Sequence, residues 1–266
     1  MCSAEKLTAV LVHGWGGSPR TWNGIAWPEH WRILPYTLPG HGHRHDDGPW
    51  TIPAAAEDLA DYIRGSVPAG ERVLLIGHSM GGQLTAMVQA THPELVLGEV
   101  VIDPAYGGDD SPVDVADMVA QLEAMRNDPF GTLFQFIEGA FSPYLPQAAR
   151  DIIRQDIAAT NPTAFGDYFE SEYLAEESFG LRTDTPTVTM RRTRPVLGIY
   201  GSEARGAMER EVDPVGLDVS LSVWQGGHGH FLHMEDPQRF VRCVEEWSGC
   251  LDGFVDMSEQ VLRPVV

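Results

Sequence analysis

Hydrophobic positions fall into six short apolar runs rich in β-branched residues, each closed by turn-forming residues. Leu7 to Val12 runs into Gly14-Trp15-Gly16-Gly17, and Trp31 to Leu38 stops at Pro39-Gly40. Arg72 to Ile76 enters Gly77-His78-Ser79-Met80-Gly81-Gly82, and Gly98 to Ile102 ends at Asp103-Pro104. Val196 to Tyr200 ends at Gly201, and Val219 to Trp224 at Gly226-Gly227. Each reads as a strand. Helical spacing marks Ile52 to Val67, with Leu59, Tyr62 and Ile63 on one face, then about Gln83 to Thr91 and finally Pro237 to Trp247. Strands alternating with helices predict an α/β fold, a mostly parallel sheet of about six or more strands with helices on both faces.

The stretch 105–193 is too long for a loop. Helical patterns occupy Val113–Met125, Gly131–Gly139 and Gln147–Ala159, and seven of the ten phenylalanines fall there but no tryptophan. The expected organisation is therefore a core from 1–104 and 194–266 with a helical cap insertion at 105–193. The cap aromatics either bury a core of their own or also line an apolar pocket. The tail from Leu251 to Val266 carries no clear element.

Composition narrows the partners. The 266 residues hold 18 basic and 38 acidic side chains, a formal net charge of −20. Such a surface repels phosphate backbones and anionic lipid heads, so neither nucleic acid nor membrane is expected as a partner. Lys6 is the only lysine, which leaves Schiff-base chemistry one remote candidate. Cys2, Cys243 and Cys250 make an odd count without CxxC spacing, so we expect free thiols rather than a disulfide framework, although a Cys243–Cys250 bridge is conceivable. No run reaches the length of a membrane span and the first residues lack the shape of a signal peptide, so a cytoplasmic location is expected.

Gly77-His78-Ser79-Met80-Gly81 is a G-x-S-x-G pentapeptide between a strand and a helix. A serine on so sharp a turn needs small residues two positions either side, and it stands at the positive end of the following helix. Ser79 is the candidate nucleophile. A serine hydroxyl needs a base at neutral pH, usually histidine. His41, His43 and His45 alternate in a Gly/Pro loop, where chelation lacks a framework beyond Asp46 and Asp47, so they read as loop residues. His228, His230 and His233 follow the last strand, whose carboxyl end shares a sheet edge with Ser79.

These motifs resemble the α/β-hydrolase family from about Leu7 to Trp247, and His13-Gly14-Trp15-Gly16-Gly17 followed by Trp22 is similar to the opening of the pimeloyl-[acyl-carrier protein] methyl ester esterases. Leu38-Pro39-Gly40-His41-Gly42 and Gly77-His78-Ser79-Met80-Gly81-Gly82 match later landmarks. Gly229-His230-Phe231 with Glu235-Asp236-Pro237 matches the histidine block, so the resemblance singles out His230 as the base. It also implies an oxyanion hole from the backbone N–H groups of Trp15 and Met80, each donor typically worth about 3 kcal/mol in such sites.

The acid departs from the family pattern. The commoner members place an aspartate three residues past the penultimate strand's glycine, where this chain has Ala204. Asp103, after the fourth strand as in some branches, is favoured; Glu203 is the alternative, and Asp213 a more distant one. A serine nucleophile implies acyl transfer on a carboxylic ester, thioester or lactone of a small substrate with an apolar portion, with no cofactor. The alternatives are non-hydrolytic chemistry on the same histidine base (lyase, C–C cleavage or cofactor-free dioxygenation) and a ligand receptor. Neither the oligomeric state nor the substrate is legible.

Overall fold

The structure is a computed structural model that describes residues 7–251. Cys2, Lys6 and the expected tail beyond Leu251 lie outside the described residues. Six strands, β1 (Thr8–Val12), β2 (Arg32–Tyr36), β3 (Val73–His78), β4 (Val96–Ile102), β5 (Val196–Tyr200) and β6 (Val219–Val223), form one sheet. Every pairing is parallel and the order is β2-β1-β3-β4-β5-β6. The chain order reverses at β1, so the crossovers place helices on both faces.

The burial of the strands follows from their position. β1 and β3 are central and buried throughout, and their residues alternate between two cores. Val10, Val12 and Leu75 face α1 (Ile52–Ser66) and α2 (Met80–Thr91), packing on Leu59, Ile63 and Leu84. Ala9, Leu11, Leu74 and Ile76 face the other way, toward α10 (Pro237–Ser248) with its buried Phe240 and Val244. With both faces covered, continuous apolar runs are what the sheet requires. The edges look different. β2 carries Pro35, whose missing N–H is tolerated at an edge, and β6 alternates Val or Leu with Ser and is half-buried.

Between β4 and β5 the chain builds α3 (Pro112–Asn127), α4 (Pro129–Gly139), α5 (Gln147–Ala158), α6 (Pro162–Tyr173) and the short α7 (Pro186–Thr189). α8 (Glu203–Val212) follows β5, and α9 (Leu232–Glu235) precedes α10. Leu133, Ile137, Ile153, Ile157 and Phe165 give α4, α5 and α6 a core of their own, closed on its inner side by Phe231 and Met234. Cys243 and Cys250 are free thiols. Among the described residues no helix is long and apolar enough to cross a membrane.

One charged cluster is fully buried. Arg192 ion-pairs with Glu99 of β4 at 3.1 Å, with Glu209 of α8 at 2.8 Å and with Asp213 at 3.0 Å. Burial raises the Asp213 carboxyl to about 7, against the pull of Arg192. Asp213 therefore serves the interior, apart from the site described next.

Candidate active site

Ser79 stands between β3 and α2 with φ 55° and ψ −123°, a left-handed backbone that costs a non-glycine residue on the order of 1 kcal/mol. The turn is possible because its flanks are glycines. A Cβ on Gly77 would lie 2.4 Å from the Gly81 carbonyl oxygen, and one on Gly81 2.3 Å from that of Val12. Ser79 caps α2 through its backbone alone, so its hydroxyl is not engaged in capping. The elbow is stitched to the end of β4: Ser79 N–H donates to Ile102 O, and Ala105 N–H donates to Ser79 O.

His230 lies in the loop after β6, and its Nδ1 is 2.7 Å from Oδ2 of Asp103. Asp103 follows directly on β4 with φ 38°, a second strained residue on the same sheet edge. Burial pushes its carboxyl up, but the His230 hydrogen bond, the His230 charge and the neighbouring Arg205 outweigh that and hold it below the usual carboxylate range. Ser79 and His230 line one narrow cleft with Gly14, Trp15, Gly16, Phe136 and Phe231, about 400 Å³ of empty space including its mouth. Glu203 is elsewhere: its carboxylate is exposed and accepts from Gln225 Nε2 at 2.7 Å. Of the three candidate acids, Asp103 alone meets His230.

The loop after β1 is shaped by two buried histidines. His41 Nε2 accepts the Gly16 N–H at 3.0 Å while its Nδ1–H donates to Pro39 O at 2.9 Å. His13 Nε2 accepts the Leu38 N–H at 3.2 Å, and its Nδ1–H donates to Gly14 O. Both must be neutral to accept at Nε2, and burial favours this, lowering His41 to about 4 and His13 well below its ordinary value. With Gly16 and Gly17 N–H groups committed to His41 and to Gly14 O, the N–H groups of Trp15 and Met80 have no acceptor among the described residues. The Trp15 ring is held by Phe136, Phe165 and Phe169 of α4 and α6, at centroid distances of 5.9, 5.7 and 6.1 Å.

Several of these contacts escape sequence reasoning. His41, a loop residue by its sequence setting, is buried and bonds the backbone of the loop carrying Trp15. His43 is exposed and His45 pairs with Asp46 at the surface, as loop residues do. His78 donates from Nε2 to the His230 carbonyl at 3.0 Å. Glu235, 7 residues beyond His228, accepts from His228 Nδ1–H, Gly229 N–H and the Ser142 hydroxyl, tying the histidine loop to the segment between α4 and α5. His233 is buried between Trp22 and His78, and both its nitrogens lack a partner among the described residues. The only signal for His41 and Glu235 is their place in the PGHG and histidine-block motifs.

Residues 9–243 match the alpha/beta hydrolase family. A pimeloyl-[acyl-carrier protein] methyl ester esterase of Edwardsiella ictaluri is 26% identical over 251 residues, 89% of this chain and 92% of that relative. A serine hydrolase-like protein of Danio rerio is 33% identical over 124 residues, 45% of this chain and only 36% of its own length. The enol-lactonase structure from Burkholderia xenovorans LB400 superposes with a TM-score of 0.72 over 94% of each chain at 19% identity, a likeness of fold. The match over most of its length makes this chain a member of the alpha/beta hydrolase family.

Proposed function

We propose that this protein hydrolyses ester bonds, acting on a carboxylic ester, thioester or lactone of a small substrate through an acyl-enzyme on Ser79. The observation that carries the reading is the shared cleft: an elbow serine whose hydroxyl takes no part in capping α2, together with a histidine whose Nδ1 is paired with Asp103 at 2.7 Å. In this reading His230 Nε2 takes the Ser79 proton as Oγ attacks the carbonyl carbon. The carbonyl oxygen becomes an oxyanion and is met by the Trp15 and Met80 N–H groups. His230 then returns the proton to the leaving alkoxide or thiolate. A water deprotonated by His230 releases the acid and restores Ser79. Asp103 keeps the His230 proton on Nδ1 and stabilises the imidazolium that forms twice in the cycle.

Helices α3 to α6 serve in this reading as a cap over the sheet edge, and Phe136, Ile137 and Ile153 of that segment give the cleft an apolar wall. Its lining among the described residues includes no lysine or arginine, so a neutral acyl or ring portion fits better than one ending in a carboxylate. The named activities of the esterase relatives support the ester class.

The test is turnover of a panel of short and medium p-nitrophenyl esters, methyl esters, thioesters and lactones by wild type and Ser79→Ala. Release of acid that vanishes in Ser79→Ala supports the reading. Turnover that survives Ser79→Ala but not His230→Ala points instead to base-driven, non-hydrolytic chemistry. Saturable binding of these compounds with no product in wild type would indicate a receptor.

A further inference from the structure

The residues after Asp103 form a loop held by side chains from other elements: Gln83 Nε2 of α2 donates to Ala105 O at 2.7 Å, the Thr185 hydroxyl accepts the Gly107 N–H at 2.9 Å, and Arg205 alone of these also reaches the Asp103 carboxylate. Arg205, in the first turn of α8, donates from Nη2 to Pro104 O at 2.6 Å and from Nη1 to Gly107 O at 3.1 Å. Its Nε lies 3.6 Å from Oδ1 of Asp103, the carboxylate oxygen that His230 does not use. The guanidinium also sits over the Tyr200 ring, 5.9 Å from its centroid, so its own orientation is fixed from β5. The planar guanidinium suits this arrangement, because two of its donors take two carbonyls while the third meets a carboxylate edge.

We infer that Arg205 is a positioning residue for the acid of the triad, clamping the loop after β4 around the strained Asp103 and partly neutralising the carboxylate that His230 needs. This rests on the triad proposed above. The clamp does two separable things. Together with the Gln83 and Thr185 bonds, it braces a φ of 38° that a non-glycine residue does not keep unaided. It also places a positive charge beside Asp103, which weakens the attraction between Asp103 and the His230 imidazolium. Without that charge the Asp103–imidazolium pair would be tighter.

The surrounding groups leave that charge in control. Asp103 faces His230, Arg205 and the Tyr173 phenol of α6, which burial keeps protonated. His230 faces Asp103, His78 from the β3 turn and His233 of α9, and burial keeps both histidines neutral. Glu235, the last residue of α9, is engaged by His228, Gly229 and Ser142.

The experiment follows the His230 imidazole by ¹⁵N NMR through a pH titration, together with the pH profile of kcat/KM on an activated ester, in wild type, Arg205→Met, Arg205→Gln and Arg205→Lys. Met and Gln remove the charge, and Gln retains a donor to support the loop. Both are expected to move the His230 titration and the acid limb upward by on the order of half a pH unit or more. Lys keeps the charge but not the fork, so its acid limb stays near wild type while kcat falls. Loss of kcat in all three variants with the His230 titration unmoved would reduce Arg205 to a structural strut and overturn the inference. The NMR shift does not depend on turnover: a shift as expected in a protein that hydrolyses no ester would refute the hydrolase reading and leave the role of Arg205 standing.

Discussion

Replacing Asp103 by asparagine is the sharpest single perturbation of this site. The Asp103 carboxylate accepts the His230 Nδ1–H at 2.7 Å, and in the proposed cycle each half turns His230 into an imidazolium. Two unit charges about 4 Å apart attract by about 4 kcal/mol at an effective dielectric constant of 20, which corresponds to roughly three orders of magnitude in rate. Asparagine removes that charge, and its amide N–H₂, if turned to Nδ1, forces the proton onto Nε2 and blocks the base. Loss of both effects in serine hydrolases amounts to about 10⁴ in kcat. Asp103→Asn is therefore expected to lower kcat/KM on p-nitrophenyl butyrate by three to four orders of magnitude, with the urea midpoint changed little. Glu203→Gln, altering an exposed side chain bonded among the described residues to Gln225, is expected to stay within about twofold of wild type. An Asp103→Asn enzyme within tenfold of wild type, or a Glu203→Gln enzyme equally impaired, would refute the assignment.

His41→Ala leaves the Gly16 amide buried without its acceptor, so we expect about 1–3 kcal/mol of lost stability by urea denaturation and a fall in kcat of about tenfold or more, reporting on the loop that carries Trp15. His13, His41, His78 and His233 are buried neutral, each with a folded pKa below its ordinary value. Their contribution is complete above about pH 6.5 and drains as pH falls, because the unfolded chain takes up protons the native state refuses. The raised Asp213 carboxyl, at about 7, works in the opposite sense, holding a proton in the native state that the unfolded chain releases. His233→Leu, which removes no hydrogen bond, is therefore expected to shrink the stability lost between pH 7 and pH 5 by about 2 kcal/mol, read from urea midpoints. Arg192→Met strands Glu99, Glu209 and Asp213 without their cation and is expected to destabilise by about 3–5 kcal/mol; a loss under about 1 kcal/mol would show that the carboxylates simply protonate.

The strands are legible because a sheet covered on both faces leaves unbroken apolar runs, and β5 at Val196–Tyr200 agrees with its reading residue for residue. Elements whose stability comes from tertiary packing are not. The pattern predicts α2 only from Gln83 because Gly81-Gly82 reads as a turn; the helix starts at Met80, the glycines being needed for close approach to β1 and to Pro104. α6 is hidden because it is buried around much of its circumference, through Phe165, Tyr168, Phe169 and Glu172, so no amphipathic stripe stands out. α8 reads as charged and carries Gly206, yet buries Met208, Glu209 and Val212. In the site, Ser79, His230 and Asp103 are visible as motif and strand-end positions. Arg205 and His41 are not, since their partners are backbone groups about 100 and 25 residues away that no local pattern couples to them.

His230, oriented by Asp103, is held to make Ser79 a nucleophile. Intact-mass analysis after brief exposure to a fluorophosphonate tests this directly, because the reagent labels activated serines and needs no knowledge of the substrate. The expected result is a single adduct on wild type, none on Ser79→Ala, and labelling slowed by orders of magnitude in Asp103→Asn. An unlabelled but folded wild type, or an adduct that persists in Ser79→Ala, would contradict it.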